Sequence, residues 1–237
     1  MRSVFPGFPA EGLAFFSSLQ RNNRREWFQP RKAIFEETLK QPMRELVDSL
    51  NSAMTRFAPE YATDPEKAIY RIYRDTRFSK DKTPYKTHIG ALLLRRGDKA
   101  GAGFYLAVSH KSVAIAGGIY APPPESLLAL RQHLAEHHRE FRKIAGARAV
   151  RELYGAMQGE QLTRVPKGFA SDHPAADLLR FKRLLFYVEL PPDLAMTPAL
   201  YPSVVQHFRA VTPFVEFLNS PLRAKPRKVP HGIVTES

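Results

Sequence analysis

The apolar positions of this chain repeat at helical spacing near the N-terminus, alternate in the middle, and return to helical spacing toward the C-terminus. Leu13, Phe16 and Leu19 recur every three residues behind Pro9, which suits a first helical turn, and Asn22-Asn23 breaks the helix. From about residue 24 to 57, Leu39, Met43, Leu46, Leu50, Met54 and Phe57 follow a 3.6-residue period and predict one buried stripe. Pro30 and Pro42 each lack an amide proton and crowd the preceding turn, so either starts a new helix or kinks a continuous one. A break is expected near Pro30, covered by Trp27 and Phe28.

Residues 68–74, 87–95, 103–109 and 112–119 are short, rich in β-branched and aromatic side chains, and bounded by Gly, Asp, Lys and Pro, which predicts strands. Phe104, Leu106 and Val108 alternate with Tyr105, Ala107 and Ser109, placing one face on a core. The short gap at His110-Lys111 predicts an antiparallel hairpin, and residues 96–102 suit a longer one. Neighbouring strands without an intervening helix argue against a doubly wound parallel sheet.

Pro122-Pro123-Pro124 leads into a helix with the stripe Leu127, Leu130, Leu134 and Phe141, and residues 149–157 suggest a shorter one. Asp172 is placed to cap a helix reaching about Arg180, residues 184–190 alternate as a strand, and the region after Thr197-Pro198 is helical again, interrupted by Pro202 and Pro213. The expected fold is a single α+β domain, residues 1–220, with a largely antiparallel central sheet packed by amphipathic helices. A basic tail, residues 221–237, carries Arg223, Lys225, Arg227 and Lys228 with little apolar material.

Composition narrows the chemistry. The 237 residues contain no cysteine, which excludes disulfides, thiolate metal sites, iron–sulfur ligation and a cysteine nucleophile. No stretch approaches eighteen apolar residues, so no membrane partner is expected, and a cytoplasmic location is the expectation. The formal charge is +13, and it is uneven: from Arg71 to Lys86, six Lys or Arg face only Asp75 and Asp81. Such a concentration attracts phosphates or polyanions when its side chains converge.

The series Arg71-x-x-Arg74-Asp75-x-Arg77-Phe78-Ser79-Lys80-Asp81-Lys82-x-Pro84-Tyr85-Lys86 resembles the signature of a bacterial and fungal family, the domain of unknown function 2461. Asn22-Asn23 with Trp27-Phe28, Gly117-Gly118-Ile119-Tyr120, and residues 162–168 (Leu-Thr-Arg-Val-Pro-Lys-Gly) resemble it too, so the likeness spans about residues 4–220. The resemblance implies a family and transfers no catalytic role.

Read physically, the motif offers Arg71, Arg74, Asp75, Arg77, Lys82, Tyr85 and Lys86 as ligand-binding candidates. Arg74, Arg77 and Lys82 would form an anion-binding surface oriented by Asp75, because guanidinium–carboxylate pairing is bidentate and selective in geometry. Phe78 and Tyr85 would partly cover it. An internal ion-pair network pinning a long loop over the sheet, anchored by Phe78 and Tyr85, accounts for the same residues. A lysine here acts as a base only where burial and adjacent positive charge lower its pKa.

Elsewhere the signals are weaker. His133 and His137 lie one turn apart, but the apolar stripe explains their helix and no metal-ligand motif accompanies them, so no metal is expected. His88, at the motif's exit, is the better functional histidine. Gly117-Gly118 either admits a ligand to the backbone or forms the turn before Pro122. Arg164 and Lys167 flank a second basic turn. The first function class is binding or processing of a phosphorylated or carboxylated small molecule through the central motif. Nucleic-acid contact through distributed basic residues and the tail ranks behind it, and a non-enzymatic interaction protein is the third. Catalytic residues, cofactor and oligomeric state are not specified by the sequence.

Overall fold

The computed structural model of the chain describes residues 5–98 and 100–223. Its N-terminal part is helical: α1 (Ala10–Arg21), α2 (Arg25–Phe28), α3 (Lys32–Phe35), α4 (Gln41–Met54) and α5 (Pro65–Ala68). Pro9 stands at the N-cap of α1, one residue before the first turn, and Asn22 ends the helix. At Pro30 a 3₁₀ turn, Gln29–Arg31, carries α2 directly into α3, so the expected break is a tightening of the same helical path. Pro42 is accommodated by a π turn, Glu36–Lys40. There the Gln41 amide donates to the Glu36 carbonyl, five residues back, and widens the helix just before the proline ring. Met43, Leu46, Val47, Leu50 and Met54 form the buried stripe of α4.

Four strands, β1 (His88–Leu94), β2 (Gly103–Ser109), β3 (Val113–Ile119) and β4 (Leu184–Leu190), form an antiparallel sheet in the order β1-β2-β3-β4. Between β3 and β4 run α6 (Pro124–Ala145), α7 (Arg148–Tyr154) and α8 (Ala176–Leu179); a 3₁₀ turn, Pro192–Met196, and α9 (Leu200–Asn219) follow β4. Pro202 falls in the first turn of α9, and Pro213 lies inside that helix without ending it. The chain is thus a single α+β domain whose helices and inner sheet face share one core. No helix of the described residues is long and apolar enough to cross a membrane.

Two expected elements are corrected. Ala68 closes α5, and residues 69–74 are not a strand of the sheet: the isolated bridge Ile69 to Ala91 touches β1, and the bridge Tyr73 to Tyr85 pairs the segment with its own return path. The Tyr70 amide donates to Gly90 on β1 (2.8 Å), whereas the Arg74 amide donates to Pro84 and the Ile72 carbonyl accepts from Lys86. The segment divides its backbone bonds between β1 and its own return path, so neither ladder lengthens. The helix expected from Asp172 shrinks to Ala176–Leu179. Pro174 disfavours helical geometry at His173, and the Ala175 amide is satisfied by His173 Nδ1 (3.0 Å).

α9 rests on the inner face of β3. A Cβ at Gly117 would come within 2.4 Å of Val211 Cγ1, so the glycine lets helix and strand approach. Gly118 has φ +137°, and a Cβ there would meet the Leu184 carbonyl oxygen at 2.2 Å. The glycine pair therefore lets β3 close on its neighbours, and both glycines also line a pocket on the outer face of the sheet. Of the basic tail, Arg223 is described, 3.5 Å from Glu60; Lys225, Arg227 and Lys228 lie outside the described residues.

Candidate functional site

The motif separates into two halves. In the first, two of the cations pair with the two aspartates within the loop. Arg74 bonds Asp81 and the Thr83 hydroxyl, and Arg77 forms a fork on Asp75 through Nε (3.0 Å) and Nη2 (2.7 Å). Asp75 therefore orients Arg77, while Arg74 takes a different aspartate. Lys82 Nζ donates to the Thr76 carbonyl (2.9 Å). The Arg74 bond, reinforced by Thr83, holds the Asp81 carboxyl at about 2, and the Arg77 fork holds Asp75 below the ordinary carboxylate range. Phe78 covers nothing: it is 95% exposed at the loop tip, with the Arg77 guanidinium 5.8 Å from its ring.

The second half is built into the domain. Tyr85 is 2% exposed and stacks on Phe28 with centroids 4.1 Å apart. Asn23 clamps its backbone both ways, donating from Nδ2 to the Tyr85 carbonyl (2.8 Å) and accepting the Tyr85 amide at Oδ1 (3.0 Å). Asn23 and Phe28, from the start of the helical run, thereby fix where the motif leaves its loop. Next along the chain, Lys86 Nζ donates to the Arg71 carbonyl (3.0 Å) and lies 5.0 Å over the Tyr70 ring. Burial, then the Arg71 charge, lowers the Lys86 pKa; burial, then Lys86, lowers that of His88. Among the described residues, the Arg71 side chain has no hydrogen bond or ion pair.

Tyr70 connects this half to a pocket of about 490 Å³ on the outer face of the sheet. Every residue lining the pocket comes from strands and loops, because the helices that cover a sheet face lie on the other side. Its floor contains a cross-strand row, Leu92, Tyr105, Ala116 and Tyr187, in direct register. The Tyr105 hydroxyl leans over Gly90, where a Cβ would lie 3.1 Å from it. Tyr70 and Tyr105 face each other with ring centroids 6.4 Å apart. Burial, with Tyr70 nearby, pushes the Tyr105 phenol up to about 12. Tyr187 is also raised, by burial and by its bond to Glu189. Tyr120 stands at the rim with the Arg183 guanidinium 4.3 Å over its ring.

Of the candidate residues, Arg71 and Lys86 stand beside the pocket's Tyr70 wall, Arg74, Asp75, Arg77 and Lys82 belong to the self-paired loop, and the Tyr85 ring is in the core. The pocket tyrosines and Leu92 were not among the candidates. Their signal was that Leu92, Leu94, Ala107, Ala114, Ala116 and Leu185 occupy outward strand positions, where a one-sided antiparallel sheet ordinarily carries polar residues. Among the described residues, no group of three or more His, Asp or Glu is arranged to hold a metal ion.

No curated protein and no solved structure matches the chain. A family model described as "Conserved hypothetical protein (DUF2461)" matches residues 11–217, which include the whole sheet, the motif and the outer-face pocket, and the chain belongs to that family.

Proposed function

We propose that the outer sheet face binds a small organic anion with a planar apolar body, the body lying on the tyrosine and leucine floor and its carboxylate or phosphate meeting Lys86 and Arg71. The observation that carries this is the double role of Tyr70, whose ring walls the pocket and also bears the Lys86 ammonium 5.0 Å away. A pocket of this volume lies within the usual range for small-molecule sites, which combine apolar walls with few polar groups. Lys86→Met keeps the alkyl stem and removes the charge; Tyr105→Ala removes the floor. Titration with benzoate and phenyl phosphate, followed by calorimetry and by amide shifts on β1 to β4, should show binding that both variants weaken about tenfold or more, the scale of one lost charge-assisted bond or aromatic contact. Unchanged affinity in both folded variants would overturn the assignment.

One observation favours a second reading, contact with single-stranded nucleic acid at the 75–82 loop. Phe78 is fully presented with the Arg77 guanidinium 5.8 Å from its ring and Lys80 and Lys82 in the same loop, and an exposed ring near cations is the arrangement on which bases stack. Stacking is worth about 1–3 kcal/mol per base, so Phe78→Ala should weaken oligothymidylate binding about fivefold or more. An oligonucleotide affinity indifferent to Phe78 rules this contact out.

A further inference from the structure

A second cleft, of about 590 Å³, lies between the 163–171 loop and the α8 region, away from the sheet-face residues. Backbone pairing sets it up. The Leu162 amide donates to the Arg180 carbonyl (2.7 Å) and Gln161 bridges to Phe181, which brings Thr163 and Arg164 beside Arg180. From α6, Arg131 donates to the Leu179 carbonyl (3.0 Å) and the Phe181 carbonyl (3.4 Å), holding the backbone on both sides of Arg180. The position of Arg180 is therefore fixed by three separate bonds.

The charges in this cleft are unbalanced. Among the described residues its one acid, Asp177, is already engaged by the Arg142 fork through Nη1 (3.1 Å) and Nη2 (2.6 Å), which holds the Asp177 carboxyl below its ordinary range. Among the described residues, neither Arg164 nor Arg180 has a side-chain hydrogen bond or ion pair, and Arg180 Nε is buried without a partner. Arg180 Nε is closed off from the cleft, so a ligand there meets this guanidinium at its two terminal nitrogens, which are neither bonded nor fully buried. Thr163 and Ser171, each with a hydroxyl, line the same cleft, with Val165 and Phe169 as its apolar residues.

We infer that this cleft is a distinct anion site that takes the phosphoryl group of a phosphorylated small molecule. Two guanidinium forks and two hydroxyls supply more donors than the two oxygens of a carboxylate use, whereas the three terminal oxygens of a phosphate monoester match them. The cleft is much larger than the phosphoryl group alone, and Val165 with Phe169 offers the rest of the ligand an apolar surface. The inference is independent of the sheet-face proposal, since no residue is shared.

The test is titration of the full chain with inorganic phosphate, read by calorimetry and by amide shifts of residues 163–171 and 177–180. Arg164→Gln removes an exposed cation and is not expected to affect folding; Arg180→Lys keeps the charge and loses the fork. Each should weaken phosphate at least about tenfold, the loss expected for a charge-assisted bond. Acetate should not compete. Arg148→Gln, on the exposed and Glu152-paired Arg148, removes the same charge elsewhere and should leave affinity unchanged. No saturable phosphate binding by the native chain, equal weakening by Arg148→Gln and Arg164→Gln, or native affinity in Arg164→Gln each overturns the assignment. Arg164→Gln decides the matter alone if Arg180→Lys does not fold.

Discussion

Replacing Asn219 tests how the pocket's outer loop is held. Asn219 is wholly buried at the end of α9, where Nδ2 donates to the Tyr61 hydroxyl (2.8 Å) and the Ala102 carbonyl (2.9 Å), and Oδ1 accepts the Ala102 amide (2.8 Å). Ala102 sits between Gly101 and Gly103, both of which line the pocket. Asn219→Ala leaves the Ala102 amide and carbonyl without their partner in a region closed to water, and takes from the Tyr61 phenol one of its two partners, the other being Arg223. Each unpaired buried group costs about 1–3 kcal/mol, and because the three share one side chain their sum is bounded to about 3–5 kcal/mol. In a domain of this size each kcal/mol moves Tm by about 2–4 °C, so calorimetric melting should fall by about 10 °C. A fall of less than about 3 °C would falsify the claim that this side chain fastens α9 to the loop.

The same position gives a test with a defined sign in pH. Asn219→Asp keeps the shape but points a carboxylate oxygen at the Ala102 carbonyl, where Nδ2 donated before. Burial and acceptor–acceptor contact raise the pKa of the introduced carboxyl in the folded state above its unfolded value of about 3.9. The folded variant then binds more protons than the unfolded one, so its stability falls as pH rises through that interval. Relative to the native chain, Asn219→Asp should melt closer to normal at pH 4 than at pH 8. A deficit that grows on acidification refutes the proposed contact.

Two further outcomes follow from packing and from the histidines. Gly117→Ala forces a Cβ against the stiff, buried Val211 and should cost about 1–3 kcal/mol by denaturant unfolding, less in a Val211→Ala background; strictly additive effects would show that α9 does not rest on that glycine. Burial is the leading cause lowering His88, His110, His133 and His207, so the unfolded chain takes up protons near pH 6.5 before the folded chain does. Stability should therefore decline as pH falls from 7.5 to 5.5, and a flat or rising Tm over that range contradicts the histidine environments.

The sheet was legible because its inward residues alternate strictly: Phe104, Leu106 and Val108 fall at successive inner positions of β2, and Leu184 and Phe186 resume that pattern after the intervening helices. The segment after Ala68 was misread because its β-branched and aromatic residues carry the same local preference, while its hydrogen bonds go to two different partners. Asn23 illustrates a second gap. Its bonds to Tyr85 cross 62 residues, so local pattern marks it only as a helix breaker. Arg180 illustrates a third: a lone arginine after a leucine pair has no local signature, and its setting arises from the Leu162 and Arg131 bonds around it.

What charge density along the chain could not reveal is how the motif divides its cations. Six Lys or Arg within sixteen residues suggest one electrostatic surface, yet short-range pairing uses Arg74 and Arg77 inside the loop. Exposed ion pairs of this kind add little stability, so they order the loop rather than hold the domain. Lys86 differs because Tyr85 is fixed on both sides, by the Asn23 clamp and by the Phe28 stack, and the next residue inherits that fixed position. There its ammonium meets the Arg71 carbonyl and the Tyr70 ring, and it has no carboxylate partner among the described residues. A cation held by a core-anchored neighbour, with an unpaired arginine alongside, presents a prepositioned charge, and under the sheet-face proposal little side-chain entropy would remain to be lost on binding an anion. The anchored end of the motif, more than its charge-rich tip, is therefore where a ligand's charge would be read.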